Sequence, residues 1–239
     1  MPEGLIKIRS KPGVKRDGTR LEGDFYLDSQ WNRFQRGLAR KIGGYTSRVR
    51  NLPQLVYGIH SFSANSNQYF HFGSQSQLQQ RILNSMNVQI GENDRTPAGL
   101  VPNVANIWQM DAIFDTPTDA TVLVAHAAPN MDISSQTNSK TFFGDITGAA
   151  ILTDTAQDEV SGGLLVVGNY LVTYGNGGFI GWSNENDVSS INSAGNFTQQ
   201  KIVQGKRIRG GGVPSALLWS LDSVLQMTFA GLDGPDVLW

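Results

Sequence analysis

Ser161–Ser183 reads SGGLLVVGNYLVTYGNGGFIGWS, and its punctuation decides the fold class. Three short apolar runs, Leu164–Val167, Tyr170–Tyr174 and Phe179–Trp182, are separated by Gly168-Asn169 and by Gly175-Asn176-Gly177-Gly178. The runs are built from Val, Leu, Ile, Tyr, Phe and Trp, which suit a pleated, half-buried surface, and Gly and Asn supply the positive φ that tight hairpins need. No run is long enough for a helix. The stretch predicts a three-stranded antiparallel meander.

The cadence recurs. LVTY-GNGG-FIGWS from Leu171 aligns with YFHF-GSQS-QLQQR from Tyr69 and LLWS-LDSV-LQMTF from Leu217, with a looser copy from Thr121, at spacings of 52, 50 and 46 residues. A further strand-like run precedes each core: Leu55–Phe62, Ile107–Phe114, Leu164–Val167 and Lys201–Arg209. Four repeats of roughly 50 residues, each with three or four short strands, predict an all-β, propeller-like array. A β-sandwich is the competing arrangement, since regularly spaced turn signals fit either. If the repeat is real, Tyr69–Phe72, Leu171–Tyr174 and Leu217–Ser220 occupy equivalent strands. Gln77–Leu83 is then a strand turning at Asn84–Asn87 into Val88–Ile90, although Leu78, Ile82, Met86 and Ile90 also fit a helical stripe. Gly91–Asn106, Met131–Lys140, Asp154–Glu159 and Asn184–Asn196 read as polar loops, and Thr141–Leu152 as a hairpin. Gly234–Trp239 is strand-like and needs a partner. It is expected either to close a ring onto an early strand or to lead into chain beyond Trp239.

The net charge of −1 over 239 residues hides an asymmetry. Residues 1–50 hold twelve Lys and Arg against five Asp and Glu, and the remaining 189 hold seven against fifteen. A basic segment of this kind seeks phosphates or an acidic partner surface. The expected division is a basic N-terminal arm with short strands over 1–50 and the propeller-like domain over 51–239. Lys7, Arg9, Lys11, Lys15, Arg16 and Arg20 are the expected partner-binding residues. Leu5-Ile6-Lys7-Ile8-Arg9 would suit strand addition to a neighbour's sheet edge. Within Glu22–Tyr45, Trp31, Phe34, Leu38 and Ile42 fall on a helical stripe, but Gly37 interrupts it, and short strands are expected. Lys206, Arg207 and Arg209 form a second basic patch beside Gly210-Gly211-Gly212.

Little else carries chemistry. Cysteine is absent, which removes disulfides, thiolate ligands and a cysteine nucleophile and agrees with a reducing cytoplasm. The start MPEGLIKIRSKPG has no apolar signal-peptide core, and no run of 18 apolar residues predicts a membrane span. Gly205-Lys206 lacks a phosphate loop's earlier glycine and following Ser or Thr, with Gln200 and Arg207 in those places. His60 and His71 fall on neighbouring strands of one repeat, and His126 stands apart. No third metal ligand is evident. Asp187 with Asn184, Glu185 and Asn186 lacks the fixed acidic spacing of calcium loops. Asp111, Asp132, Glu159 and Asp222 identify no glycosidase pair, and no serine sits in a nucleophile elbow. The expectation is a non-enzymatic protein without cofactor.

Arg16-Asp17-Gly18-Thr19-Arg20, Tyr26, Trp31, Arg33-Phe34, Arg40-Lys41-Ile42-Gly43-Gly44-Tyr45 and Gly58-Ile59-His60 carry a resemblance. Over roughly the first 60 residues the chain resembles virion proteins of short-tailed bacteriophages, the tail-nozzle or head-stabilisation group. Beyond them the likeness is the cadence of strand and turn, and Ala39 stands where that pattern leads one to expect proline. The resemblance implies β-propellers that close the portal channel below an adaptor ring. It implies a structural subunit, assembled in the host cytoplasm into the virion tail as a homo-oligomeric ring. Its neighbours would be adaptor or portal subunits, sister subunits and tail fibres, with the exiting DNA as a further contact. A minor capsid or decoration protein is the nearest variant. A carbohydrate-binding module of a host-contact fibre is the alternative, using Trp108, Trp182 or Trp219.

Overall fold

The computed structural model describes residues 32–35, 38–41, 47–49, 51–104, 106–127, 140–155, 160–191, 193–209, 212–231 and 234–238. The chain divides into two units, Met1–Ser47 and Arg48–Trp239. In the first, β1 (Asn32–Gln35) and β2 (Leu38–Lys41) form an antiparallel hairpin with Phe34 opposite Ala39. Phe34 and Leu38, two members of the helical stripe, therefore lie on separate strands, as the interrupting glycine predicted.

The second unit is four consecutive four-stranded antiparallel meanders. The first sheet is β3 (Val56–Ala64), β4 (Asn67–Ser74), β5 (Leu78–Leu83) and β6 (Gln89–Asp94). The second is β7 (Gln109–Asp115), β8 (Ala120–His126), β9 (Thr141–Asp145) and β10 (Thr153–Asp154). The third is β11 (Gly163–Val167), β12 (Tyr170–Tyr174), β13 (Phe179–Trp182) and β14 (Ser193–Asn196). The fourth is β15 (Gln204–Ile208), β16 (Ser215–Trp219), β17 (Val224–Gly231) and β18 (Gly234–Leu238). Each of the four aligned sequence cores begins on the second strand of its sheet, and each preceding run contributes the first. Gln77–Ile90 is not helical: β5 pairs with β4 on one side and β6 on the other, and the backbone turns at Asn84–Asn87 despite the four-residue apolar spacing.

Several boundaries differ from the sequence reading. Gly91–Asp94, expected as loop, belongs to β6, where Asn93 donates to Gln80 (2.7 Å) and Glu92 pairs with Arg81 (3.0 Å). Polar cross-strand contacts hold that strand, so apolar alternation could not reveal it. Ser193–Asn196, also expected as loop, is β14, held by backbone pairing to β13 despite its small and polar residues. The hairpin from Thr141 returns at Thr153–Asp154, beyond Leu152. β18, expected either to close onto an early strand or to lead into further chain, pairs with β17 as the fourth strand of its sheet, and among the described strands it pairs with no other. Residues 131–139 and 156–159, within two of the expected loops, lie outside the described residues.

The sheets stack face to face through three apolar cores. Leu78, Trp108, Leu123, Ala125, Phe142, Ile146 and Leu152 fill the first seam, between the first and second sheets. Ile113, Val122, Val124, Leu164, Val166 and Leu171 fill the second seam. Leu165, Val172, Tyr174, Ile180, Ala216, Leu218, Leu225 and Met227 fill the third. Each fully buried Val, Leu, Ile, Phe or Met side chain contributes about 1.5–3 kcal/mol relative to exposure, so these seams dominate the unit's cohesion. The first strands lie side by side in order, β3 by β7, β7 by β11 and β11 by β15.

Turn chemistry follows φ. Asn65 and Ser66 both have positive φ (52° and 63°) in the two-residue β3–β4 hairpin. In the Gly175–Gly178 turn, Gly177 (φ 60°) faces open space, whereas Gly178 (φ 68°) abuts Thr198, whose carbonyl oxygen would lie 2.1 Å from an added Cβ. Both glycines have positive φ, and packing makes Gly178 the more constrained of the two.

Candidate functional site at the first strands

The polar groups that the topology gathers lie on and beside the four first strands. Gln109 opens β7, and its Oε1 accepts from the Leu164 N–H (2.9 Å) and from the Tyr174 hydroxyl (3.3 Å). That hydroxyl in turn accepts from the Gly205 N–H (2.9 Å). One side-chain relay therefore joins the second, third and fourth sheets. Two glycines make room for it. A Cβ on Gly163 would lie 1.9 Å from Gln109 Oε1, and one on Gly205 would lie 2.9 Å from the Tyr174 ring. Burial raises the Tyr174 pKa to about 12 against the opposing hydrogen bonds of Gly205 and Gln109, so the phenol keeps the proton it donates.

Two residues further along β7, Asp111 accepts from the Val166 N–H (3.1 Å) and the Ala112 N–H (2.9 Å), and Arg207 on β15 approaches it to 3.8 Å. At the far end of β7, Asp115 accepts from the Val188 N–H (3.0 Å) and from the Thr118 hydroxyl (2.6 Å). These carboxylates are occupied by backbone donors across sheet seams. Chemically, the arrangement fastens neighbouring sheets.

Of the sequence-predicted residues, Lys7, Arg9, Lys11, Lys15, Arg16 and Arg20 lie outside the described residues. Lys206, Arg207 and Arg209 are brought together on and just after β15, all exposed. They do not act as one face. Arg207 sits opposite Ala216 on the side packed toward the third sheet, whereas Lys206 sits opposite Leu217 on the other side. Gly210 and Gly211 lie outside the described residues.

His60 and His71 are directly opposite in the β3–β4 register, with ring centroids 5.7 Å apart. Burial lowers the pKa of both, to about 3 for His71, where the charges of Arg95 and His60 push the same way. Among the described residues no three His, Cys, Asp or Glu form a group able to hold a metal ion. Asp187 caps its own turn, accepting from the Ser189 N–H and hydroxyl. Trp108 is 4% exposed and packs against Gly58 and Gly73, with its indole N–H donating to the Ser74 carbonyl (2.6 Å). Trp182 and Trp219 are half-buried. Among the described residues no helix is long and apolar enough to cross a membrane.

Sequence reasoning missed the roles of Gln109, Tyr174 and Arg95. Gly163 and Gly205, placed at strand starts, were the available signal, because glycine in a strand marks a close approach. Compared with protein-family models and with curated proteins, the chain matches none.

Proposed function

We propose that the chain is a non-enzymatic structural subunit of a short-tailed phage virion. In this reading it is a tail-nozzle or head-to-tail stabilisation component that assembles as a ring, and its second unit is a propeller-like array. The observation that carries the reading is the series of four meanders in sequence order with their first strands side by side. In a propeller each blade is such a meander, and the first strands line the axis. The resemblance of the opening residues supplies the phage context, and the relay from Gln109 to Gly205 supplies the rigidity a channel wall requires.

The basic arm is the docking element in this reading. Ordering a free cationic arm costs entropy, which an acidic neighbouring subunit offsets by neutralising its charge. Leu5, Ile6 and Ile8 between the charges favour a protein partner over the exiting DNA. Deleting residues 1–20 is expected to leave the β unit folded and to abolish incorporation into particles, read by circular dichroism and by occupancy in purified virions. Normal occupancy of the truncated chain would overturn the role of the arm. DNA as the partner would appear instead as binding that weakens steeply with salt. The glycan-binding alternative needs exposed aromatic faces; the burial of Trp108 leaves it Trp182 and Trp219, and a glycan array tests it directly.

A further inference from the structure

Each sheet ends in an outer strand, β6, β10, β14 or β18, whose far edge pairs with no other described strand. Such an edge offers unpaired backbone N–H and C=O groups to an incoming strand. Three of the four are poor acceptors. β10 has two residues, and its Asp154 is paired with Lys140. β14 is Ser-Ala-Gly-Asn and carries no charge, and β18 contains Pro235, which has no N–H.

β6 is different. Over Gln89–Asp94, Ile90, Glu92 and Asp94 are exposed, and Gln89, Gly91 and Asn93 between them are half-buried. The Arg95 N–H donates to the Leu78 carbonyl (2.8 Å), and Asn93 stands opposite Gln80. In an alternating antiparallel ladder the main chain of Asn93 therefore turns to β5, and that of Glu92 and Asp94 turns outward. Glu92 gives Oε1 to Arg81 (3.0 Å), while its Oε2 has only a 3.5 Å contact from Gln89. Asp94 uses Oδ1 for the Thr96 N–H and hydroxyl (3.0 and 2.5 Å). Each carboxylate thus keeps an oxygen for a cation. Apolar surface lies at the start of the strand, where Met86, Val88 and Ile90 are 73%, 51% and 56% exposed.

The segment Leu5-Ile6-Lys7-Ile8-Arg9 has the matching period. Extended, it sets Leu5, Lys7 and Arg9 on one face. Laid parallel to β6, these three stand beside Ile90, Glu92 and Asp94, apolar against apolar and each cation against a carboxylate. Antiparallel addition would keep two charge pairs but set Lys11 against Ile90 and Leu5 beyond Asp94.

We infer that β6 is the acceptor for the N-terminal arm of a second copy of this chain, which adds Leu5–Arg9 to the first sheet as a fifth, parallel strand. The inference rests on the reading of the arm as the docking element and names the surface that receives it. The link is head to tail: each copy gives an arm to one neighbour and offers β6 to another, so a ring forms where the rotation closes.

The absence of cysteine makes a crosslinking test clean. A Leu5→Cys chain mixed with a size-tagged Ile90→Cys chain is expected to give a disulfide-linked mixed dimer on oxidation. Adding Lys7→Glu and Arg9→Glu to the first chain should lower the yield at least about five-fold. A yield no higher than with Leu221→Cys, an exposed position of the fourth sheet, in place of Ile90→Cys overturns the proposal. Hydrogen exchange reads the same contact without cysteine. In the unmodified chain the Glu92 and Asp94 amides should gain protection as protein concentration rises, and the charge-reversed chain should show no gain. Unmoved Glu92 and Asp94 amides overturn the proposal even if a cysteine variant fails to fold. Loss of virion occupancy on deleting residues 1–20, with no mixed dimer, puts the arm on another partner and overturns this inference alone. Normal occupancy overturns the docking reading beneath it.

Discussion

The first and third sheet seams solve the same packing problem with opposite chemistry. The third, between the third and fourth sheets, is an apolar core whose buried phenol, Tyr174, has both a donor and an acceptor partner in Gly205 and Gln109. The first combines an indole wedge with Gln80, His71 and Arg95, all buried, and leaves His60 Nδ1, His71 Nδ1 and Arg95 Nη1 without hydrogen-bond partners. Satisfied buried polar groups rigidify a core, and unsatisfied ones make it sensitive to conditions. The third seam should therefore be indifferent to solution conditions and the first should respond to them.

Removing the wedge would break the comparison most severely. Trp108→Ala empties the slot left by Gly58 and Gly73 and strips the Ser74 carbonyl of its donor, and it is expected to cost about 3–5 kcal/mol by urea unfolding. A loss below about 1 kcal/mol would mean that Trp108 does not hold the first seam.

Acid should single out the same seam. The folded pKa of His71, about 3, lies below its ordinary 6.5. The unfolded chain takes up the proton as pH falls through 6.5, whereas the folded chain does so only near 3. Stability is full above 6.5 and is lost as pH falls between these values, by at most about 1.4 kcal/mol per pH unit from this residue. His60, also lowered by burial, adds in the same direction. Hydrogen exchange from about pH 7 to about pH 4.5 should show β3–β6 losing protection before β11–β17. Uniform loss would contradict the assignment.

A smaller effect separates two adjacent glycines beside the third sheet. Gly177→Ala should cost about 1 kcal/mol from its positive φ, and Gly178→Ala about 2–3 kcal/mol because the Thr198 backbone blocks its Cβ as well. Equal melting temperatures for the two variants would count against that contact. Tyr174→Phe should cost about 1–2 kcal/mol, since it orphans the Gly205 N–H yet keeps the ring's packing. Its loss should be independent of pH from about 5 to about 8, in contrast to the first seam.

The strands legible in the sequence were those whose stability is apolar. Leu164–Val167, Tyr170–Tyr174 and Phe179–Trp182 announce themselves by β-branched and aromatic residues between Gly-Asn punctuation, and their bounds hold almost to the residue. The second half of β6 and the whole of β14 stayed hidden because Gly-Glu-Asn-Asp and Ser-Ala-Gly-Asn carry no such pattern; neighbouring strands and polar side chains hold them in place. For the site, the opposition of His60 and His71 followed from the repeat alignment. The relay through Gln109 and Tyr174 did not, because these two residues lie 65 positions apart and nothing local marks either one as polar cargo in a core. Arg95 falls within a stretch read as polar loop, and the Ala150 carbonyl and the missing Cβ of Gly144 explain where it goes.

Because every sheet is completed by consecutive residues, assembly order can follow synthesis order. The sheets begin at Val56, Gln109, Gly163 and Gln204, so a ribosome exposes one complete meander before starting the next. At about 5–20 residues per second each sheet takes seconds to emerge, while a hairpin closes in roughly 1–10 μs. Each meander therefore has time to zip before its successor exists, and every new first strand meets a finished surface. The transient hazard is the one apolar face that still awaits its neighbour, and it moves along the chain as the chain grows.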